Sequence, residues 1–264
     1  MRLHHSVLLA LAAAWLAPRA GASDRLVISA DGSTLSGASG GGGGSLTWLQ
    51  GFDSGVVGVG GEYQTLADAR WAFGSLSGSV STGGPRARWT LAGEAHLGRG
   101  DIGAYQRLRR FDYQVEGLSV AGTFGGKLTV QLGAHQYDID TTHGALPKAA
   151  LGFLWTPHLQ TTVSYSRSIT GNLGTELETL RIDHYGAPVN WLIGGAVGHV
   201  APSIVNIYTG LTGPAPQLRE GYVGISKSFS RSDWSILADY LKVAGEKRIT
   251  LTVVCTLQAG TSGT

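Results

Sequence analysis

The sequence predicts an all-β chain, an antiparallel transmembrane β-barrel of about 12 strands, within roughly 10 to 14. Three observations predict it. The N-terminus has the layout of an export signal, on a chain whose only cysteine is Cys255. No mature segment reaches the ~18 consecutive apolar residues of a helical span, although 42% of the chain is hydrophobic. And segments of roughly 10 residues alternate with a period of two, keeping charge off one face.

The first element is the export signal. Arg2 is followed by the apolar run SVLLALAAAWLAP and then by Ala20-Gly21-Ala22, an A-x-A cleavage pattern. The run is about 13 residues, short of the ~20 that a spanning helix needs. Residues 1–22 therefore read as a signal peptide, with Ser23 as the first mature residue. Its removal takes away Arg2 and Arg19, leaving 18 Lys and Arg against 18 Asp and Glu, a formally neutral chain. That balance argues against a broad basic surface for nucleic acid. A single cysteine forms no internal disulfide and no thiolate metal site. Charged residues are 14% of the chain, against ~25% in an average soluble domain.

Residues 23–45 read as an N-terminal segment, with a short strand at 26–29 and a flexible linker in GASGGGGGS (37–45). The barrel is expected from 46 to 258, with a short polar tail at 259–264. Within it, GVVGVGGEYQTL sets Val57, Val59 and Tyr63 opposite Glu62 and Gln64. RARWTLAGEAHLGRG sets Ala87, Trp89, Leu91, Gly93, Ala95 and Leu97 opposite Arg86, Arg88, Thr90, Glu94 and His96. RRFDYQVEGL sets Phe111, Tyr113 and Val115 opposite Arg110, Asp112, Gln114 and Glu116. KLTVQLGAHQY, DWSILADYL and KRITLTVVCTL repeat the pattern. Turn chemistry separates them, as in STGGPR, FGGK, YGAP and AGEK. Trp48, Trp71, Trp155, Trp191, Tyr208 and Trp234 lie near segment ends, as interface girdles do.

An unpaired Arg or Lys facing lipid at mid-depth costs ~2–4 kcal/mol. The charged faces are therefore expected to line the lumen: Arg86, Arg88, Glu94, His96, Arg110, Asp112, Glu116, Lys127, His135, Arg181, Asp183, Asp239 and Arg248. No catalytic or metal-binding role is assigned. The mature histidines His96, His135, His143, His158, His184 and His199 show no H-E-x-x-H spacing. Serines such as Ser164 and Ser166 sit in no G-x-S-x-G elbow. No cofactor is expected.

The stretches HGALPKAALGFLWTPHLQTTVSYSRS, LRIDHYGAPVNWLIGGAVGHV and REGYVGISKSFSRSDWSILADYLKV resemble the YaiO-like outer-membrane β-barrel family. That resemblance implies an outer-membrane barrel, and similar barrels form the export pores of exopolysaccharide systems. The final strand, ITLTVVCTL, is followed by QAGTSGT and lacks the terminal aromatic residue that such barrels usually carry. The expected function is a non-enzymatic bacterial outer-membrane protein: a narrow pore, or an accessory to envelope or exopolysaccharide transport. The expected partners are outer-membrane lipid, the assembly machinery, and polysaccharide or small polar solutes, with no nucleic acid. Two alternatives stand beside it: a barrel enzyme acting on lipid or lipopolysaccharide, and a secreted soluble β-sandwich binder.

Overall fold

The computed structural model describes residues 24–36, 38–67, 69–104, 107–200, 217–243 and 246–258. The proposed signal peptide and the polar tail lie outside the described residues. Fourteen strands follow one another: β1 (Arg25–Leu35), β2 (Ala38–Phe52), β3 (Gly55–Leu66), β4 (Ala69–Gly83), β5 (Ala87–Ala104), β6 (Arg107–Phe124), β7 (Leu128–Ile139), β8 (Thr142–Thr156), β9 (Leu159–Arg167), β10 (Glu176–His184), β11 (Asn190–His199), β12 (Gln217–Ser228), β13 (Ser232–Val243) and β14 (Glu246–Gln258). Each pairs antiparallel with its neighbours, and β14 pairs β1 from Arg25↔Gln258 to Leu35↔Arg248, so the sheet closes on itself. A single closed sheet is not a sandwich, and the soluble-sandwich expectation falls with it.

The strand count is 14 rather than about 12 because the N-terminal segment belongs to the barrel. The glycine run read as a linker is the first half of β2, paired on both sides. Its glycines are required by close approach. A Cβ at Gly43 would lie 2.2 Å from the Gln64 amide oxygen, and one at Gly41 would lie 2.1 Å from the Thr65 carbonyl oxygen.

Connections at one end of the barrel, such as 53–54, 125–127 and 185–189, are short. The other end carries the longest connection among the described residues, 168–175, and it is where β11 ends at His199 and β12 begins at Gln217. Between the ends, the outer face is apolar: Leu118 is 61% exposed, Leu132 56%, Leu151 52% and Leu251 52%. A soluble monomer does not leave such a continuous band in water. On β5 the band runs from Trp89 to Leu97, about 26 Å of strand, which a ~40° tilt brings to about 20 Å of height. Phe52, Trp89, Trp155 and Phe229 ring its short-turn edge, and Tyr63, Tyr165 and Tyr240 lie towards the other. Trp48, Trp191 and Trp234 also face outward, as expected for a girdle. Trp71 does not: it is buried on the inner face. Tyr208 lies outside the described residues.

The longest hairpin changes its polarity partway along. β5 and β6 have 18 residues each, against the ~9–11 of a tilted spanning strand. On β6, Leu118 and Val120 face out in the apolar band, and so do Glu116, Gln114, Asp112 and Arg110 beyond it. Inward on that distal half are Val115, Tyr113 and Phe111, all buried. The side chains keep their alternation while the surroundings change from lipid to water, so the outward face changes from apolar to charged.

Candidate functional site in the barrel lumen

The lumen is layered. On the short-turn side it is lined by hydroxyls that meet across strands: Ser29 with Ser45 at 2.7 Å, Ser81 with Thr90 at 2.9 Å and Thr123 with Thr129 at 3.2 Å. Charged groups form a belt at middle depth. Towards the long loops the interior turns apolar, with Leu66, Trp71, Phe73, Val115, Tyr137 and Leu218 in one buried cluster.

Glycine on a middle strand lets side chains from the two flanking strands meet above it. The row Asp31–Gly43–Gln64 crosses β1, β2 and β3. Gln64 Nε2 reaches over Gly43 and donates to Asp31 Oδ1 at 2.9 Å, and also to Glu62 Oε1 at 2.8 Å. The row Glu94–Gly117–His135 crosses β5, β6 and β7. The His135 ring lies over Gly117, where a Cβ would sit 2.4 Å from its Cδ2, and its Nε2 is 2.9 Å from Glu94 Oε1. The row Arg181–Gly194–Tyr222 crosses β10, β11 and β12, with the Tyr222 hydroxyl 2.5 Å from a Cβ built at Gly194.

Two further rows carry rings. In Phe73–Gly98–Tyr113 the rings from β4 and β6 stack above Gly98, centroids 5.0 Å apart and planes 9° apart. In Trp71–Gly100–Phe111, a Cβ at Gly100 would lie 2.2 Å from Phe111 Cζ and 2.8 Å from Trp71 Cβ. The inward positions of β5 thus run Glu94, His96, Gly98, Gly100, from polar to aromatic. His96 stands between the two, edge-on to Phe73 at 5.4 Å, with its Nε2 3.5 Å from Glu94 Oε2.

The sequence-derived lumen residues divide into three groups. Glu94, His96, His135, Arg181, Asp183, Asp239 and Arg248 face inward, and Arg88 faces the short-turn mouth. Arg181 donates twice through Nε to Asp183, at 2.8 and 2.9 Å, and Arg248 stands 3.9 Å from Asp239. Arg88 lines a 490 Å³ recess with Asp53, Ser81 and Thr123. Arg86 and Lys127 do not line the lumen: both sit in exposed turns, 84–86 and 125–127, where the strands have ended. Nor do Arg110, Asp112 and Glu116, which lie on the water-facing outer side of the distal hairpin. There Arg99 pairs with Asp112 at 3.2 Å and Arg110 with Asp101 at 3.8 Å.

Glu62 and Gln64, on the polar face that the alternation marks, also face the lumen, and so do Asp31, Lys148, Glu220, Tyr222 and the aromatic rows, which the sequence pattern does not mark. The in-strand glycines were the available signal, since each aromatic row is centred on one. Below the belt, Tyr185 donates to Gln160 Oε1 at 3.3 Å. Burial first, then the Asp183 charge, push the Tyr185 phenol up to about 12, so it remains a neutral donor.

The 168–175 connection folds back on the barrel end. Asn172 Oδ1 accepts from the His143 N–H at 2.9 Å, and Thr170 Oγ1 accepts from the Ala145 N–H at 3.0 Å. Gly171 supplies the turn at φ +68°, and a Cβ there would strike the His143 carbonyl oxygen at 2.0 Å. This places Leu173 in the buried apolar cluster.

No family model matches the sequence, and no curated protein matches it. Solved structures do match the fold. A protein described as the CymD monoaromatic hydrocarbon channel aligns with a TM-score of 0.61 at 10% identity, over 92% of this chain and 90% of that one. The Pseudomonas putida toluene transporter TodX aligns with a TM-score of 0.57 at 8% identity, again over 92% and 90%. At such identities the likeness is one of fold: a closed barrel of the kind found in outer-membrane channels.

Proposed function

We propose that the chain is a non-enzymatic outer-membrane channel whose lumen admits small aromatic solutes. The observation that carries this reading is the pair of ring rows, Phe73 with Tyr113 over Gly98 and Trp71 with Phe111 over Gly100, inside a barrel with an apolar outer band. Offset rings attract further rings, and aromatic faces bury large areas with little rotamer entropy to lose. The solutes named for the aligned channels, monoaromatic hydrocarbons and toluene, have the size and chemistry of these rows. A hydrated polysaccharide needs hydroxyl-binding groups along its whole path, which the apolar half of the lumen does not offer. This weighs against the exopolysaccharide role.

In this reading the short turns face the periplasm and the long loops face outward. The partners are then outer-membrane lipid around the band and the assembly machinery that inserts it. The YaiO-like resemblance supports the same placement. The test is uptake of a labelled monoaromatic compound by Gram-negative cells with and without the chain. Uptake is expected to rise with the chain, and equal rates would overturn the proposal.

A further inference from the structure

The inner face of β5 joins a polar group to an aromatic wall, and this gives the proposed solute a second feature. The following inference rests on the aromatic-channel reading. His96 is 7% exposed, and neither of its ring nitrogens has a hydrogen-bond partner. Its Nε2 faces Glu94 Oε2 at 3.5 Å, within ion-pair range but too far for a good hydrogen bond. The other carboxylate oxygen, Oε1, meets His135 at 2.9 Å. A buried imidazole without a hydrogen bond is destabilising until a ligand supplies one. Immediately above it lie the stacked rings of Phe73 and Tyr113.

We infer that this segment is a subsite for a neutral hydroxylated aromatic ring, of the phenol class. A neutral imidazole presents one donor and one acceptor. A phenolic hydroxyl offers the complementary acceptor and donor while its ring lies against Phe73 and Tyr113. A bare hydrocarbon leaves His96 as unsatisfied as before. An aromatic carboxylate brings a negative charge up to Glu94. The inward cation on the neighbouring wall, Lys148 on β8, is the group that would favour such an acid instead.

The test is equilibrium binding of labelled phenol, toluene and benzoate to the detergent-solubilised barrel, with folding checked by heat-modifiable gel mobility. Phenol is expected to bind about tenfold more tightly than toluene. His96→Leu is expected to bring phenol down to the toluene level and leave toluene unchanged. His96→Gln, whose amide keeps a donor and an acceptor, is expected to retain the preference, and it decides the matter should the leucine variant not assemble. Equal binding of phenol and toluene, an unaltered preference in His96→Leu, or a preference for benzoate each overturns the subsite. Its failure is separable from that of the channel. Phenol bound by the purified barrel with no gain in cellular uptake removes the channel and keeps the subsite. Uptake gained with no phenol preference does the reverse.

Discussion

Gly117 shows how much a missing side chain does in this barrel. The His135 ring occupies the space where its Cβ would be, and so reaches Glu94 two strands away. Gly117→Val is therefore expected to push the ring off, part the pair and lower stability by about 1–3 kcal/mol. The outward glycine Gly61 is the control. A Cβ there meets nothing nearer than the Phe73 carbonyl oxygen at 3.6 Å. Gly61→Ala is expected to leave stability unchanged or slightly raised. The temperature at which the compact gel band converts to the unfolded one measures both. A second residue-scale expectation concerns charge. Arg181 and Asp183 are mostly withdrawn from solvent, with side chains 19% and 8% exposed. Arg181→Met strands the carboxylate and is expected to cost about 3 kcal/mol, much of which Arg181→Met with Asp183→Leu should restore. If the double variant is as unstable as the single one, the pair is not what holds that wall.

At the scale of the strand, alternation and polarity are separate properties, and the sequence displays them unequally. The period of two marked which residues share a face on β5 and β6, and the structure keeps those partitions. It could not mark which face is inside, because that depends on whether lipid or water lies outside. On β5, Trp89 and Leu91 face lipid and Glu94 faces the lumen. On β6, the same rule applied to Arg110, Asp112 and Glu116 placed them inward, although that half of the strand stands beyond the band. Glycine misled for a related reason. A glycine run has weak strand propensity on its own, and only the Gln64 side chain crossing from β3 explains why β2 needs it. A substitution pair tests the depth assignment. Val120→Arg, in the band, is expected to cost about 2–4 kcal/mol, whereas Gln114→Arg, three turns of alternation higher on the same face, is expected to change stability by less than about 1 kcal/mol. Denaturant unfolding in lipid vesicles measures both, and equal costs would mean that the band extends to Gln114.

The whole barrel depends on closure, and closure depends on the segment that looked most dispensable. With residues 23–45 set aside as a short strand and a glycine-rich linker, the sequence supports about 12 strands, a count of spans with no means of showing which strand meets which. Pairing β1 with β14 is a contact between the two ends of the chain, and no local pattern encodes it. β1 contributes a full edge on each side, Arg25 to Leu35 against β14 and nearly the same span against β2. Without it, β14 and the remnant of β2 would expose unpaired N–H and C=O groups to lipid, each costing several kcal/mol. Such groups are tolerated only when a closed sheet hides them. A chain that keeps the proposed export segment but lacks residues 25–45 is therefore expected to yield no heat-modifiable band and no membrane-integrated product. The full chain is expected to yield both. Should the shortened chain still run as a compact, heat-modifiable species, a smaller barrel closes without β1, and the glycine run is a tether after all.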